Sequence, residues 1–503
     1  MELFHNIYIG FSTALLPSNL IYCFLGVLVG TLVGVLPGLG SPTVLALLLP
    51  VTFYIPQDGA LIMTVGIYYG AQYGGSTTSI LVNIPGEATS VVTCLDGYQM
   101  ARKGRAGPAL GISAFGSFIG GTISVIGLML IGPGMANFAL RFGPPEFFSL
   151  AFLATVMIIF LVKGSKLKSF ISAMLGFFVG TIGLDYVSGI PRFNLGTVSL
   201  MKGMELVPVA IGLFGMAEVL VNLEQKLMER NIFKTNIRGL LPTQKDWKES
   251  ILPIGRGTVI GFLLGLLPGA GAIMASFSSY IVEKRLSRHP ERFGTGVIAG
   301  VAGPETANNA ATGGAMVPLL SLGIPTNAVT ALLLGAMLIH GVHPGPFLIK
   351  NHPGTFWGVI ASMYVGNIFL LILNLPLIGI WVKILKVPYR ILLPLIVLFC
   401  LMGAYSAGND PYDVLIMIVF GAVGYLMRKT GLEVVPFIFA MLIGPLMENG
   451  FRLALLSSRG SFTIFFAHNI SAVLIGASFI LILISVFQKW RSKGKGYEDQ
   501  GVV

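Results

Sequence analysis

The stretch GVLVGTLVGVLPGLG at residues 26–40 returns as GTVIGFLLGLLPGAG at residues 257–271. Glycines fall at 26, 30 and 34 before Pro37-Gly38-x-Gly40, and at 257, 261 and 265 before Pro268-Gly269-x-Gly271, a constant offset of 231 residues (Pro268 against Pro37). Glycine at every fourth position strips one helix face of side chains, so a second helix can approach closely. The Pro-Gly-x-Gly that follows stops the helix. Proline removes a backbone donor, and glycine admits positive φ and close approach of a ligand. An apolar helix interrupted at matching places in two halves is the sequence mark of a transporter site built on broken helices.

A second pair of motifs follows in the same order. The first half has Gly74-Gly75-Ser76-Thr77-Thr78-Ser79 and then Ile84-Pro85-Gly86-Glu87-Ala88; the second has Gly313-Gly314 and then Ile324-Pro325-Thr326-Asn327-Ala328. The Gly-Gly offset is 239 and the Ile-Pro offset 240 (Gly313 against Gly74, Ile324 against Ile84). The expected organisation is a first repeat half at 1–221 with its core at 20–135, a cytoplasmic linker at 222–254, a second half at 255–386, and C-terminal membrane segments with a cytoplasmic tail at 387–503.

Composition places these motifs in a membrane. Of 503 residues, 54% are hydrophobic and 11% charged, against about 25% charged in a soluble domain. Apolar runs at 20–36, 109–131, 147–162, 356–377 and 461–487 compare with the roughly 20 residues that cross a bilayer core, and about ten to thirteen embedded segments are expected. The net charge of +11 does not mark a nucleic-acid binder, because the basic residues sit in short connectors and at the C-terminus, as the positive-inside rule requires. Cys23, Cys94 and Cys400 are scattered and fit neither a disulfide framework nor a metal motif. There is no P-loop pattern, which excludes ATP hydrolysis by that route. No cofactor is expected beyond Na⁺ as a candidate coupling ion.

The basic residues also orient the chain. None precedes Arg102, which puts the N-terminus outside. The segments 222–250 and 283–293 and the tail with Lys489, Arg491, Lys493 and Lys495 are strongly basic and read as cytoplasmic. The first glycine-rich helix then enters from outside and returns outside, while the second enters from inside and returns inside. The expected fold is an all-α polytopic membrane protein, an inverted-topology repeat with two re-entrant helical hairpins and broken helices.

The site candidates follow from these breaks. The positive end of a returning half-helix suits an anion, so Gly38, Gly40, Ser41 and Thr43 at the first tip and Gly269 and Gly271 at the second are candidate substrate residues. Gly75, Ser76, Thr77 and Thr78 add hydroxyls and a close backbone, and Asn83, Pro85, Thr326 and Asn327 mark the Ile-Pro interruptions. Glu305 lies in the polar run Gly303–Asn309. A charge at the bilayer centre costs about 2.5–3.5 kcal/mol and so faces a cavity or a partner. Glu305, Thr306 and Thr312 are the candidate ion-coupling residues, with Asn308 and Asn309 beside them for substrate. His340 and His343 in a Gly-Pro turn are weak for zinc. An intramembrane metal-dependent enzyme using them with Glu305, or a passive anion channel, are the rival readings.

Together, GVLPGLGSPT at 34–43, YGAQYGGSTTSILVNIP at 69–85, 261–271 and 300–327 resemble the large membrane subunit of the tripartite tricarboxylate transporter family. The resemblance implies a permease of the bacterial inner membrane, no enzyme, driven by a Na⁺ or H⁺ gradient. It also implies two partners, a small membrane subunit and a periplasmic solute-binding protein that delivers citrate or a related organic acid.

Overall fold

A computed structural model describes residues 2–36, 40–162, 164–185, 188–197, 199–224, 239–384 and 389–493. Gly38 lies outside the described residues, as do Lys226, Arg230, Lys234 and Arg238 of the basic connector and Lys495 of the tail.

The chain forms two compact units, residues 1–140 with 204–430 and residues 141–203 with 431–503. The core of the first unit is a run of five helices that occurs twice. The first run is α1 (Pro17–Val35), α2 (Ser41–Thr52), α3 (Gln57–Val82), α4 (Val91–Arg102) and α5 (Ala106–Ala139). The second is α6 (Gln244–Gly265), α7 (Gly271–Leu286), α8 (Ala299–Leu322), α9 (Ala328–Ile339) and α10 (Pro353–Asn374). Local chemistry sets the ends. Pro17 and Pro42 sit in the first turns of α1 and α2, where a missing N–H costs nothing. Thr243 and Asp246 cap α6 reciprocally. α3 and α8 both stop at a left-handed residue, Asn83 (φ 59°) and Gly323 (φ 72°).

The glycine spacing does the packing expected of it. A methyl added to Gly26, Gly30 or Gly34 of α1 would lie 2.3, 2.4 and 2.2 Å from the carbonyl oxygens of Met63, Ile67 and Ala71 on α3. One added to Gly257, Gly261 or Gly265 of α6 would lie 2.5, 2.2 and 2.3 Å from those of Gly303, Ala307 and Ala311 on α8. Each carbonyl in the second set is 240 residues beyond its counterpart (Gly303 against Met63). Gly74 meets the Thr31 carbonyl and Gly314 the Phe262 carbonyl, so Gly74 corresponds to Gly314 and the offset of 240 extends through the central helices. The packing is also exchanged between the runs: α3 packs on α1 and on α10, and α8 on α6 and on α5.

Seven described helices are long and apolar enough to cross a membrane: Pro17–Val35, Ala106–Ala139, Pro144–Leu161, Leu206–Glu224, Pro353–Asn374, Pro411–Thr430 and Val434–Ser457. The chain is a polytopic, essentially all-helical membrane protein. α3 and α8 fall outside that set because they carry the polar runs, yet every residue of Gly59–Val82 and Gly300–Ser321 is buried. They are interior helices, enclosed on all sides.

The second unit holds Pro144–Leu161, Lys166–Gly180, Val434–Ser457 and Asn469–Lys493. The buried hydroxyls of Ser149 and Ser471 pair at 2.7 Å, and Phe148, Phe451 and Phe465 cluster with ring centroids 5.0–5.6 Å apart.

Close packing predicts a contrast on one helix. Gly261→Ala lowers the melting temperature of the purified protein through overpacking of about 1–3 kcal/mol. Gly255→Ala, where an added methyl meets nothing within 4 Å, leaves it unchanged or raises it by about 1 kcal/mol of helix propensity. Equal losses at both positions would show that the glycines serve backbone conformation and not helix approach.

Candidate functional site

Each half brings its tip against its own Ile-Pro interruption. In the second half, Gly269 (φ 82°) and Gly271 (φ 55°) need the left-handed backbone that glycine supplies, and the Gly269 N–H donates to the Thr326 carbonyl at 2.9 Å. In the first half the counterpart of Gly269 is Gly38, which lies outside the described residues, and the contact described is made at Ser41. The N–H of Ser41, the first residue of α2, donates to the carboxylate of Glu87, and the Ser41 hydroxyl bonds it as well. Gly40 and Gly75 lie against the same side chain, and a methyl on either would meet Glu87 atoms at 3.9 and 3.0 Å.

The two interruptions are built alike. Glu87 caps the 3₁₀ turn Ala88–Ser90 that leads into α4, and its N–H donates to the Ser90 hydroxyl at 3.4 Å. Asn327 caps α9; its Oδ1 accepts from the Thr330 N–H at 3.0 Å and its own N–H donates to the Thr330 hydroxyl at 2.9 Å. The caps stand at equivalent positions, a carboxylate in one half and an amide in the other; in the first half the Ser90 N–H donates to the Glu87 main-chain carbonyl at 3.0 Å, which leaves the carboxylate to Ser41. Asn327 Nδ2 donates to the Tyr68 hydroxyl at 3.0 Å, and Tyr68 on α3 lies close to Thr312 and within electrostatic reach of Glu87.

Glu305 on α8 is 1% exposed. Its carboxylate accepts from the hydroxyls of Ser76 on α3 and Thr93 on α4, and Ser113 on α5 lies close beside it. A carboxylate of the second half is thus held by hydroxyls of the first. Residues 305, 308 or 309, and 312 share one face of a helix. Asn309 Nδ2 donates to Ser117 Oγ at 2.7 Å and to the Glu305 carbonyl at 3.2 Å. Asn308 is 1% exposed, and neither its Nδ2 nor its Oδ1 has a hydrogen-bond partner in the protein. Asn309 Oδ1 and Thr326 Oγ1 are unpartnered in the same way. Unsatisfied buried polar atoms cost about 1–3 kcal/mol each, so each of these asks for an explanation.

Other predicted residues are placed elsewhere. Thr43 donates to the Phe214 carbonyl at 3.3 Å, inside the π-helical turn Ile211–Met216. Thr78 donates to the Val35 carbonyl at 2.8 Å and so closes the end of α1. Thr77 is buried nearby. Asn83 is the left-handed, exposed cap of α3, and Pro85 lies in the irregular link that follows. Thr306 returns its proton to the Ala302 carbonyl at 2.7 Å and packs against Gly116 and Gly120 of α5. It does not meet the Glu305 carboxylate. Thr312 joins Tyr68, and donates to the Asn308 carbonyl at 3.4 Å. His340 and His343 lie in the turn after α9, and no three His, Cys, Asp or Glu converge on a metal site among the described residues.

Sequence reasoning quoted Glu87 inside its motif without weighing its charge. The matched Glu-x-x-Ser at 87–90 and Asn-x-x-Thr at 327–330 was the signal that could have found it. It also missed Asp96 on α4. This fully buried carboxylate accepts from the Tyr280 hydroxyl at 2.9 Å and from the N–H groups of Gly294, Gly296 and Val297 at 3.0, 2.7 and 2.8 Å, which fixes the loop entering α8.

The sequence model of the Tripartite tricarboxylate transporter TctA family matches residues 20–439. An uncharacterised 52.8 kDa protein of Agrobacterium vitis, from the region 3′ of ttuC′ in TAR-I, is 47% identical over 493 residues, 98% of either chain. A second uncharacterised A. vitis protein, from the corresponding TAR-II region, is 49% identical over 233 residues, 46% of this chain and 96% of that one. An uncharacterised protein of Methanocaldococcus jannaschii is 24% identical over 197 residues, covering 38% and 48%. No solved structure matches the chain.

The unpartnered amide yields a separable effect. Asn308→Leu removes no hydrogen bond and leaves the melting temperature unchanged or raised, by up to about 1–3 kcal/mol of relieved desolvation, while abolishing transport. Asn309→Leu breaks two bonds and lowers it. Thermal melts of the two variants beside the parent decide the point. A loss of stability in Asn308→Leu as large as in Asn309→Leu would mean that Asn308 has a structural partner.

Proposed function

The chain belongs to the tripartite tricarboxylate transporter TctA family, and on that premise we propose that it is the permease subunit for secondary uptake of a polycarboxylate such as citrate. Substrate carboxylates bind between the two interruptions, at Asn308, Thr326, Asn327 and the first and second helix tips. The observation that carries this reading is the unpartnered amide of Asn308, set on the face of α8 that also presents Glu305 and Thr312.

Charge balance supports coupling to a cation. No Lys or Arg occurs before Arg102, between Arg256 and Lys284, or between Arg292 and Lys350. These intervals hold both tips and both interruptions. A tricarboxylate entering there adds negative charge to a region that already contains Glu87 and Glu305. Each uncompensated charge at membrane depth costs about 2.5–3.5 kcal/mol, so cations must accompany the substrate. Glu305, with the hydroxyls of Ser76, Thr93 and Ser113, is an all-oxygen set for Na⁺ or a seat for H⁺.

The halves are proposed to be inverted, with each tip a re-entrant hairpin. Charge placement supports this, as does the exchanged packing of α3 on α10 and α8 on α5, which a twofold relation between repeats produces. The small membrane subunit and the periplasmic binding protein complete the system, in the bacterial inner membrane with the N-terminus outside and the C-terminus cytoplasmic.

Reconstitution tests the reading. Proteoliposomes containing the permease, its small subunit and the binding protein accumulate labelled citrate or a dicarboxylate under an imposed Na⁺ or pH gradient, and accumulation stops when both gradients are collapsed. Uptake indifferent to both gradients would remove the coupling claim.

A further inference from the structure

The N-terminus of α2 is where an incoming carboxylate was expected, and a carboxylate of the protein is already there. Gly40, the residue that caps α2, offers no side chain, and Pro42 has no N–H to give. The Ser41 N–H, one of the donors this helix end leaves free beside those of Gly40 and Thr43, goes to Glu87 from a segment 46 residues further along. We propose that Glu87 is a built-in stand-in for a substrate carboxylate, and that substrate takes its place at Ser41 only as Glu87 accepts a proton. This rests on the transport reading above and adds to it a second coupling residue.

Three observations carry the proposal. First, the charge of Glu87 is not required for capping. The equivalent position in the second half is Asn327, which caps α9 together with Thr330 and carries no charge. Second, the charge has no counter-charge. Glu87 is 7% exposed, and among the described residues it pairs with no Lys, Arg or His. The titratable group that faces it is Tyr68 on α3. Glu305 on α8 keeps to Ser76 and Thr93. Third, Tyr68, which lies within electrostatic reach of Glu87, accepts a hydrogen bond from Asn327, the residue after Thr326, whose buried hydroxyl has no partner in the protein.

The exchange balances. The Glu87 carboxylate takes one proton from water on the loading side and becomes a neutral acid. One substrate carboxylate oxygen then accepts the Ser41 N–H in its place, at the positive end of α2. On release the substrate leaves, Glu87 returns its proton to water, and its carboxylate again accepts from Ser41. One proton is bound per carboxylate seated.

The test is binding of citrate, tricarballylate, succinate and glutarate to the intact purified chain between pH 5.5 and 8. One linked proton changes apparent affinity about tenfold per pH unit. The parent protein is expected to bind its preferred probe more tightly as pH falls. Glu87→Gln is expected to bind at least as tightly as the parent does at pH 5.5, with the pH dependence reduced by one linked proton relative to the parent. Glu87→Asp, which keeps the charge but shortens its reach to Ser41, binds more tightly than the parent at pH 7.5 and still responds to pH; it serves if the Gln variant does not fold. Calorimetry of the parent in buffers of different ionisation enthalpy is expected to show proton uptake on binding. Binding with the same pH dependence in the parent and Glu87→Gln, or no proton uptake in the parent, overturns the proposal and leaves the transport reading standing. No binding of any probe by the parent or the variants overturns both.

Discussion

Two polar helices buried on every side impose the constraint on which the rest of this protein depends. α3 and α8 carry the hydroxyls, amides and Glu305 that an exposed membrane helix could not bear. They can be enclosed because α1 and α6 have no side chains on the facing side, so backbone meets backbone at Gly26, Gly30 and Gly34 and again at Gly257, Gly261 and Gly265. Once the helices are that close, nothing but small polar groups of the protein itself can satisfy the buried atoms. Ser76, Thr93 and Ser113 around Glu305, and Ser117 beside Asn309, are that set. Asn308 and Thr326 are among the residues whose buried polar atoms are left over, and the functional reading starts from them.

Much of this was legible in the sequence, because close helix approach and helix termination are local demands. Glycine every four residues, Pro-Gly-x-Gly and Ile-Pro each announce a backbone event, and each recurs at a fixed offset. The destinations of side chains were less legible. Thr306 directly follows Glu305, but one residue is about 100° around a helix, which turns Thr306 onto Gly116 and Gly120 of α5 and away from the carboxylate. Thr43 and Thr78 look like ligand hydroxyls in sequence, but their nearest acceptors are the carbonyls of Phe214 and Val35. Asn83 reads as a polar recognition residue, yet its position asks for a left-handed backbone, which Gly323 supplies in the other half. The partner of Ser41 is 46 residues away, and no local pattern gives that distance.

Polar contacts between the halves are as informative as those within them. Glu305 of the second half is held by Ser76 and Thr93 of the first, Asp96 of the first half grips the loop entering α8, and Asn327 reaches Tyr68. With α3 packed on α10 and α8 on α5, the two runs of five helices are interlocked. Relative motion of one run against the other would break several buried hydrogen bonds at once.

The glycine contacts and the hydroxyl cage also bear on the order in which the chain is made. α8, with its carboxylate and paired asparagines, is poorly suited to rest in lipid alone. The helices that give hydroxyls to its acidic and amide side chains, α3, α4 and α5, precede it in the chain, whereas α3, which carries no charge beyond its first turn, is followed by its partner α10. Synthesis from the N-terminus thus delivers the acceptor surface before the acidic helix that needs it, and an order of assembly is written into which of the two repeats received the charge.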